Sequence, residues 1–262
     1  MVEENDGKKT FKSLHVIVIV SVLLPVFTLC ISYIVGFKLE KISSSFVPFV
    51  SDTGDTRPNS SIFTFGLSLS GVLTLVIITI RYYQVEYILL ETKTQSSWIN
   101  QFSLVSGLTL VFGEFIVAAF QISNIKAVHF IGAGMHFGGA AMFCATQCYF
   151  TYKSSKKKCQ ITFVVRALST AIMTASSIVF GVFMIPSLNK YNRKGRNVGQ
   201  TFEWLLVSSQ LIFMLTFLNE FRELEIEFRL SKINNLQDAD EESKRLVNIA
   251  SFTFSKTYQR ID

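Results

Sequence analysis

The sequence predicts an all-α membrane protein in which six transmembrane helices form one bundle that precedes a C-terminal tail. Of the 262 residues, 49% are hydrophobic and only 17% are charged, whereas soluble chains carry about 25% charged residues. The mean hydropathy is +0.38. Six segments also reach the ~20 apolar residues that a helix needs to cross the hydrocarbon core. These observations exclude an ordinary soluble enzyme.

The six predicted spans divide the chain into a membrane domain, 13–219, and two flanking segments. They cover 13–37, 61–80, 98–125, 127–152, 159–189 and 201–219. The first span is too long for a signal peptide, whose apolar region runs ~7–15 residues, so we expect it to be retained. An even number of spans places the two flanking segments, 1–12 and 220–262, on the same side of the membrane.

The distribution of basic residues orients this bundle. With both termini in the cytosol, the inner loops and the near part of the tail hold twelve Lys and Arg residues against eight in the outer loops, as the positive-inside rule favours. A compact basic group at Lys153 and Lys156–Lys158 directly follows the fourth span. The net charge of +6 therefore indicates cytosolic loops that face anionic lipid and not a nucleic-acid partner.

The tail is predicted to start as a cytosolic continuation of the sixth helix, because its apolar residues from Phe221 to Phe228 recur at helical spacing. It then turns polar and ends in a Tyr-x-x-apolar tetrapeptide formed by Tyr258 and Ile261. Clathrin adaptors bind such tetrapeptides in extended conformation. The pattern also arises by chance, as at Tyr82–Val85 and Tyr87–Leu90, but the terminal position favours endosomal or lysosomal sorting.

Two residues fit patterns for covalent modification. Cys159 follows Lys156–Lys158, a juxtamembrane basic setting that is typical of S-palmitoylation sites, although a buried small residue is the alternative. Asn59 begins the glycosylation sequon Asn59-Ser60-Ser61 in the first outer loop, close to the second span. Because none of the four cysteines falls in an outer loop, we expect no disulfide framework.

The sequence carries none of the common catalytic motifs, such as Gly-x-Ser-x-Gly or His-Glu-x-x-His, so no catalytic residue, cofactor or metal is assigned. Ionisable residues inside spans are then the main functional candidates. Glu114 and His136 lie equally far from the turn near Ile125 and therefore at equal depth near the membrane midplane, where we expect them to pair. The pair could sense or relay protons, because histidine titrates near pH 6.5, or it could simply fix two helices.

A second polar set is predicted at the outer membrane face. Asp52 lies in the first outer loop, His129 begins the fourth span, and Glu203 with Trp204 begins the sixth. Asp, His and Glu side chains at one face could bind a metal or perform acid/base chemistry on a lipid head group. They could equally be interfacial polar residues exposed to solvent.

Two further features of the spans concern packing. Gly134 and Gly138 form a Gly-x-x-x-Gly pattern, which predicts close helix packing, within the chain or, as the alternative, in a dimer. Arg166 lies about two turns inside the fifth span and is predicted to extend its guanidinium to the cytosolic head groups.

Several short motifs together resemble one known family. They are Pro48–Gly54, Arg81–Val85, Phe120-Gln121 with His129–Gly134, Glu203-Trp204, and Leu215–Phe217 with Glu220-Phe221. In this order they are similar to the damage-regulated autophagy modulator (DRAM) family, within a wider superfamily that includes GPI-anchor remodelling and CWH-type N-terminal domains. The resemblance covers about residues 14–222, and Pro-Phe-x-Ser-Asp-Thr-Gly is its most specific part.

The resemblance implies a six-span lysosomal protein with cytosolic termini that modulates autophagy without catalysis. Sister branches imply two alternatives, a plasma-membrane scaffold for a phosphatidylinositol 4-kinase complex and a membrane enzyme that remodels lipids or GPI anchors. Polar residues do not continue through the bundle as a transporter would require. We therefore expect membrane lipids as partners at an outer-leaflet head-group site, and a clathrin adaptor at the tail; the oligomeric state stays open. The residues of that head-group site are Asp52, Thr53, Gly54, His129, Glu203 and Trp204.

This sequence departs from the family pattern at two places. Ser60-Ser61 stand where many relatives have a cysteine before the second span. Glu114 and His136 are not among the motif residues that carry the resemblance. The midplane residues are therefore predicted to be particular to this protein or its close relatives.

Overall fold

A computed structural model of the chain describes residues 3–5, 8–42, 47–93, 96–153, 159–187 and 193–229. The chain divides into two compact units. The bundle unit is Ile17–Thr216, and the terminal unit combines Met1–Val16 with Phe217–Asp262.

Six long helices form the bundle and confirm the predicted fold class. They are α1 (His15–Lys38), α2 (Asn59–Glu91), α3 (Ser97–Ala119), α4 (Lys126–Lys153), α5 (Cys159–Ser187) and α6 (Arg193–Leu215), and a short 3-10 turn at Ser51–Gly54 precedes α2. All six helices are long and apolar enough to cross a membrane. Large apolar side chains such as Phe27, Phe112 and Ile161 are exposed on the flanks of the bundle, where hydrocarbon would be the solvent.

The helices extend beyond the apolar segments at some ends and stop short at others. Helix α2 continues to Glu91, well past the predicted end at residue 80, because polar helical turns continue into the interfacial region. Helix α3 instead ends at Ala119. Residues 120–125 form a turn closed by bonds from the backbone N–H groups of Asn124 and Ile125 to the Gln121 carbonyl, at 3.1 and 3.2 Å.

The closest helix contact joins α3 to α4 and depends on glycines other than the predicted ones. A Cβ on Gly139 would lie 2.6 Å from the Leu110 backbone nitrogen, and a Cβ on Gly113 would overlap the backbone of His136. At Gly134 and Gly138, by contrast, a Cβ would meet nothing within 4 Å. The prediction that these two glycines pack against another helix of the same chain is therefore wrong, and the dimer alternative stays a prediction.

The terminal unit contains a small antiparallel sheet that the sequence analysis did not predict. Strands β1 (Glu3–Asn5), β2 (Lys8–Phe11) and β3 (Ile226–Arg229) pair in that order, with Phe11 opposite Ile226. The continuous helix predicted from 220 onward is therefore wrong, because α7 (Leu218–Arg222) is only one turn long. The alternation Ile-Glu-Phe-Arg has the period of two that favours a strand.

Candidate functional site

The outer loop is the described segment 47–58 between α1 and α2, and it lies at the end of the bundle where α6 begins. Two consecutive residues of α6 hold it. The Glu203 carboxylate accepts a hydrogen bond from the backbone N–H of Val50 at 2.7 Å, and the Trp204 indole N–H donates to the Pro48 carbonyl at 2.8 Å. Because both bonds join side chains of α6 to the backbone of the loop, this pair fixes the position of the loop on the bundle.

Thr53 and Gly54 complete the outer loop from within. Thr53 is fully buried, and its hydroxyl donates to the Val50 carbonyl at 2.7 Å. Gly54 lies against the Phe63 ring so closely that a Cβ would overlap it. Both residues therefore shape the loop and do not present groups to a ligand.

Asn59 belongs to the same buried framework. Its side chain is 1% exposed, and its amide nitrogen donates to the carbonyls of Ser32 at 3.1 Å and Thr53 at 3.3 Å. A glycan would have to be attached to that same nitrogen. The structure therefore leaves this nitrogen inaccessible to a glycan in the folded protein, although the sequon pattern is present.

His129 ties the start of α4 to the end of α3. It is buried, and its Nδ1 lies 2.7 Å from the Phe120 carbonyl oxygen. Phe120 and His129 both belong to the motifs that carry the family resemblance. The contact between these two residues closes the turn at 120–125, which explains why both occur among the motifs.

Asp52 is the most exposed carboxylate of the predicted head-group set, with 26% of its side chain accessible. Its Oδ2 lies 3.2 Å from Nη2 of Arg196 on α6, whose guanidinium is 5.7 Å from the centre of the Phe49 ring. Desolvation raises the pKa of Asp52 above its ordinary value of 3.8, and the attraction of Arg196 opposes this shift only in part. Asp52 therefore also anchors the loop to α6.

The structure brings the predicted head-group residues together but gives them another role. A lipid head group needs accessible donors or charges, and Thr53, Gly54, His129 and Glu203 are buried. The prediction of a head-group site on these four residues is therefore corrected to a clamp on the outer loop. Among the described residues, no three His, Cys, Asp or Glu side chains are grouped to hold a metal ion.

Beneath the outer loop lies an internal cavity of about 90 Å³. Four ionisable residues line it, namely Glu114, His129, His136 and Glu203. The volume is enough for roughly three water molecules at ~30 Å³ each. This cavity can therefore hold a few water molecules among these four side chains.

The direct hydrogen bond predicted between Glu114 and His136 is not formed. Glu114 lies next to the Ser70 hydroxyl on α2, whereas His136 Nδ1 lies 3.2 Å from the Leu110 carbonyl and its ring is next to Gln210. The reason is the direction of each side chain. Gly113 faces the His136 backbone, and the next residue along an α-helix points about 100° away, toward α2.

Sequence reasoning missed a polar network at the opposite end of the bundle. The buried Arg81 donates to Gln147 and to Gln84, both at 2.7 Å, and the Gln147 amide donates to the Ser103 hydroxyl at 2.8 Å. The Arg81–Val85 motif, which directly follows the second predicted span, was a usable signal. The network links α2, α3 and α4.

Arg166 does not extend to the head groups as predicted. It is 0% exposed, and it donates to the hydroxyls of Thr216 at 2.8 Å and Thr151 at 2.6 Å. Its guanidinium lies 5.7 Å from the centre of the Phe213 ring. Cys159 begins α5, but its side chain lies outside the described part of the chain, as do Tyr258 and Ile261.

Known proteins are similar to this chain over two thirds or more of its length. The chain is 31% identical over 210 residues to "DNA damage-regulated autophagy modulator protein 1" of Xenopus laevis, covering 75% of this chain and 85% of that protein, and 30% identical over 206 residues to the Homo sapiens protein of that name, covering 75% and 86%. "Transmembrane protein 150A" of Homo sapiens is 27% identical over 176 residues, covering 67% of this chain and 62% of that protein.

No solved structure matches the chain. The family described as "Frag1/DRAM/Sfk1/Cwh43P N-terminal domain" matches residues 13–224, which include all six spans. The chain is therefore a multi-pass membrane protein that belongs to the Frag1/DRAM/Sfk1/Cwh43P N-terminal domain family.

Proposed function

We propose that this chain is a lysosomal membrane protein that modulates autophagy without catalysing a reaction, through contacts with lipids or with other proteins. Sequence similarity supports the role in autophagy, and the geometry of the outer loop supports the absence of catalysis. The similarity to proteins named as autophagy modulators extends over three quarters of the chain.

The observation that carries the non-enzymatic part is the clamp on the outer loop. Glu203 and His129 are buried and bonded to the backbone of Val50 and Phe120. A general acid or base must instead reach the proton that it transfers. Thr53, whose hydroxyl belongs to the Pro48–Gly54 motif, is also buried and bonded.

Purified protein tests this part directly. We expect no turnover of phospholipids or GPI lipids by the full chain in detergent or in vesicles. Turnover that is lost in His129→Ala at an unchanged unfolding temperature, but retained in Lys126→Gln, an exposed residue at the same face, would establish the enzymatic alternative.

The lysosomal part depends on the tail tetrapeptide of Tyr258 and Ile261, which would bind a clathrin adaptor. We expect Tyr258→Ala to move a tagged protein from lysosomes to the cell surface. The matched control is Tyr87→Ala, because Tyr87–Leu90 has the same pattern but lies within α2 and cannot adopt the extended conformation. If Tyr258→Ala stayed at lysosomes, the tail tetrapeptide would not be the sorting signal.

The effect on autophagy is tested by autophagic flux in cells that lack the protein. We expect flux, measured as turnover of a lipidated autophagosome marker with and without a lysosomal inhibitor, to fall and to be restored by the wild-type chain. Flux that stays unchanged while the restored protein resides at lysosomes would contradict the proposal.

The second candidate is a plasma-membrane scaffold for a phosphatidylinositol 4-kinase complex. The similarity to Transmembrane protein 150A, 27% identical over 67% of the chain, is the observation that keeps a second branch of the family as a candidate. Under this candidate, wild type and Tyr258→Ala reside at the plasma membrane alike. Removal of the tail from Asn234 onward then abolishes kinase recruitment without changing location.

A further inference from the structure

A groove of about 1070 Å³ runs along the flank of the bundle between α2 and α3. It is separate from the internal cavity and shares no lining residue with it. Its wall on α2 carries Phe65, Leu69 and Val72, which are 73%, 42% and 46% exposed. The groove is therefore open toward the hydrocarbon region, and lipid is the occupant that can reach it.

The length of the groove matches one leaflet of a bilayer. Its lining on α2 extends from Ser60 to Val72, and at 1.5 Å per residue this distance is ~18 Å. Half of a ~30 Å hydrocarbon core is ~15 Å. The upper end is formed by the outer loop and the 120–125 turn, so the groove accommodates a lipid from the outer leaflet.

Contacts between α2 and α3 close the back of the groove. The Thr64 hydroxyl donates to the Ala118 carbonyl at 2.5 Å. Phe115 packs over Gly71, where a Cβ would lie 2.9 Å from the ring. An acyl chain along Phe65, Leu69 and Val72 would therefore meet a closed surface.

The upper end presents one charge of each sign. Arg57 is exposed and has no ion-pair partner within the described part of the chain. Oδ1 of Asp55 accepts a hydrogen bond from the backbone N–H of Ser123 at 2.8 Å, which leaves its Oδ2 available. A cation and a carboxylate at one mouth fit a zwitterionic head group, because each charge of the ligand meets its opposite.

Two hydroxyls below the mouth also lack protein partners. Within the described residues, Ser61 and Ser68 have no hydrogen-bond acceptor for their side chains. A hydroxyl that faces hydrocarbon without a partner is costly. An ester carbonyl of a glycerophospholipid would supply an acceptor to Ser61, just below the head group.

We propose that this groove binds phosphatidylethanolamine from the outer leaflet, with the phosphate at Arg57, the ammonium at Asp55 and one acyl chain along Phe65, Leu69 and Val72. The three N–H donors of a primary ammonium suit a carboxylate. Phosphatidylcholine offers no N–H donor, and phosphatidylglycerol offers no cation to Asp55. The binding does not depend on the compartment of the protein or on its role in autophagy.

The test uses the full-length chain purified in detergent and titrated with phosphatidylethanolamine, phosphatidylcholine or phosphatidylglycerol of identical acyl chains. Lipid retention is read by native mass spectrometry, and affinity is taken from the thermal shift. We expect phosphatidylethanolamine to bind most tightly. Arg57→Gln should weaken it by about tenfold or more, since a hydrogen bond to a charged group contributes ~1.5–3 kcal/mol.

Three further variants separate the parts of the proposal. Asp55→Asn keeps an acceptor oxygen for Ser123, so we expect it to lower the affinity for phosphatidylethanolamine to that for phosphatidylcholine. Leu69→Trp should fill the groove and abolish binding of all three lipids. Lys126→Gln removes an exposed cation of the same face outside the groove and should bind like the wild type.

Several results would overturn the proposal. Equal affinity of the wild type for phosphatidylethanolamine and phosphatidylcholine would contradict the proposed contact between the ammonium and Asp55. An equal loss of lipid affinity in Arg57→Gln and Lys126→Gln would show that general surface charge, and not a phosphate contact at Arg57, causes the loss. Binding of free phosphoethanolamine as tight as that of the lipid would show that the head group, not a membrane lipid in the groove, is recognised.

Discussion

The carboxylate of Glu203 accepts a hydrogen bond from the backbone N–H of Val50 at 2.7 Å and so joins residues that are 153 positions apart. Val50 begins the turn that contains Asp52, Thr53 and Gly54. The most specific motif of the family resemblance is therefore held in place by Glu203, the first residue of another motif. The Pro48–Gly54 and Glu203-Trp204 motifs therefore meet in this contact.

Loss of the Glu203 carboxylate should destabilise the outer loop. Glu203→Ala leaves the buried Val50 N–H without an acceptor, which should cost ~1–3 kcal/mol, and Glu203→Gln should cost less because its amide oxygen can still accept. The measurement is thermal unfolding of the purified protein. Glu223→Gln, at an exposed position, is the control, and an equal effect of Ala and Gln at 203 would contradict the hydrogen bond.

Asp52 should give the outer loop a pH dependence opposite to that of an ordinary ion-paired carboxylate. Desolvation raises its pKa in the folded state above 3.8, so the folded state binds the proton more tightly than the unfolded chain. The contribution to stability is complete below pH 3.8 and is lost as the pH rises through the raised pKa.

The comparison of wild type with Asp52→Asn over pH measures this contribution. We expect the unfolding temperature of Asp52→Asn to rise relative to the wild type as the pH increases above 3.8. Asp55→Asn, at the neighbouring carboxylate, is the control for general surface charge. A wild type that gains stability relative to Asp52→Asn over this interval would show that Arg196 dominates.

Gly113→Ala should destabilise the packing of α3 on α4, whereas Gly134→Ala should not. The new Cβ at 113 would overlap the backbone of His136, but at 134 it would meet nothing within 4 Å. Overpacking of this kind costs ~1–3 kcal/mol, measured as a loss of free energy of unfolding. If Gly134→Ala instead reduced chemical crosslinking between two copies, the dimer alternative for Gly134 and Gly138 would be supported.

Asn59 should carry no glycan in the mature protein. Its amide nitrogen already donates to Ser32 and Thr53, so we expect endoglycosidase treatment to leave the electrophoretic mobility unchanged. Asn59→Gln should have the mobility of the wild type but a lower unfolding temperature, because the longer side chain cannot keep both bonds. A shift on deglycosylation that disappears in Asn59→Gln would contradict the burial of Asn59.

The positions of the spans could be predicted because the bilayer imposes one rule on every segment. A backbone in hydrocarbon must satisfy its own hydrogen bonds, so a long apolar segment is a helix whatever its neighbours are. The convergence of Asp52, His129 and Glu203 at the outer face followed from topology in the same way. Their burial did not, because it depends on how the loop folds onto α6.

What the sequence could not predict is the direction in which each side chain points. The sequon at Asn59 is a local pattern, whereas its burial results from the approach of α1 at Ser32. The strand at 226–229 pairs with residues 8–11, a partner more than 200 positions away. Apolar spacing between Phe221 and Phe228 was therefore compatible with a helix until the partner was known.

Glu114 should be coupled energetically to Ser70 and not to His136. The Glu114 carboxyl lies next to the Ser70 hydroxyl, while His136 is bonded to Leu110 and lies next to Gln210. In a double-mutant cycle on the free energy of unfolding, Glu114→Gln with Ser70→Ala should deviate from additivity by ~0.5–3 kcal/mol.

The parallel cycle uses Glu114→Gln with His136→Gln, and we expect it to be additive within ~0.5 kcal/mol. Both residues line the same cavity, so the cycle also measures whether water in that cavity connects them. Strong coupling of Glu114 to His136 together with additivity at Ser70 would contradict the observed direction of the Glu114 side chain. It would instead support the midplane pair of Glu114 and His136 that the sequence predicts. That prediction counts residues from the 120–125 turn, which gives the depth of each residue but not the face of the helix on which it lies.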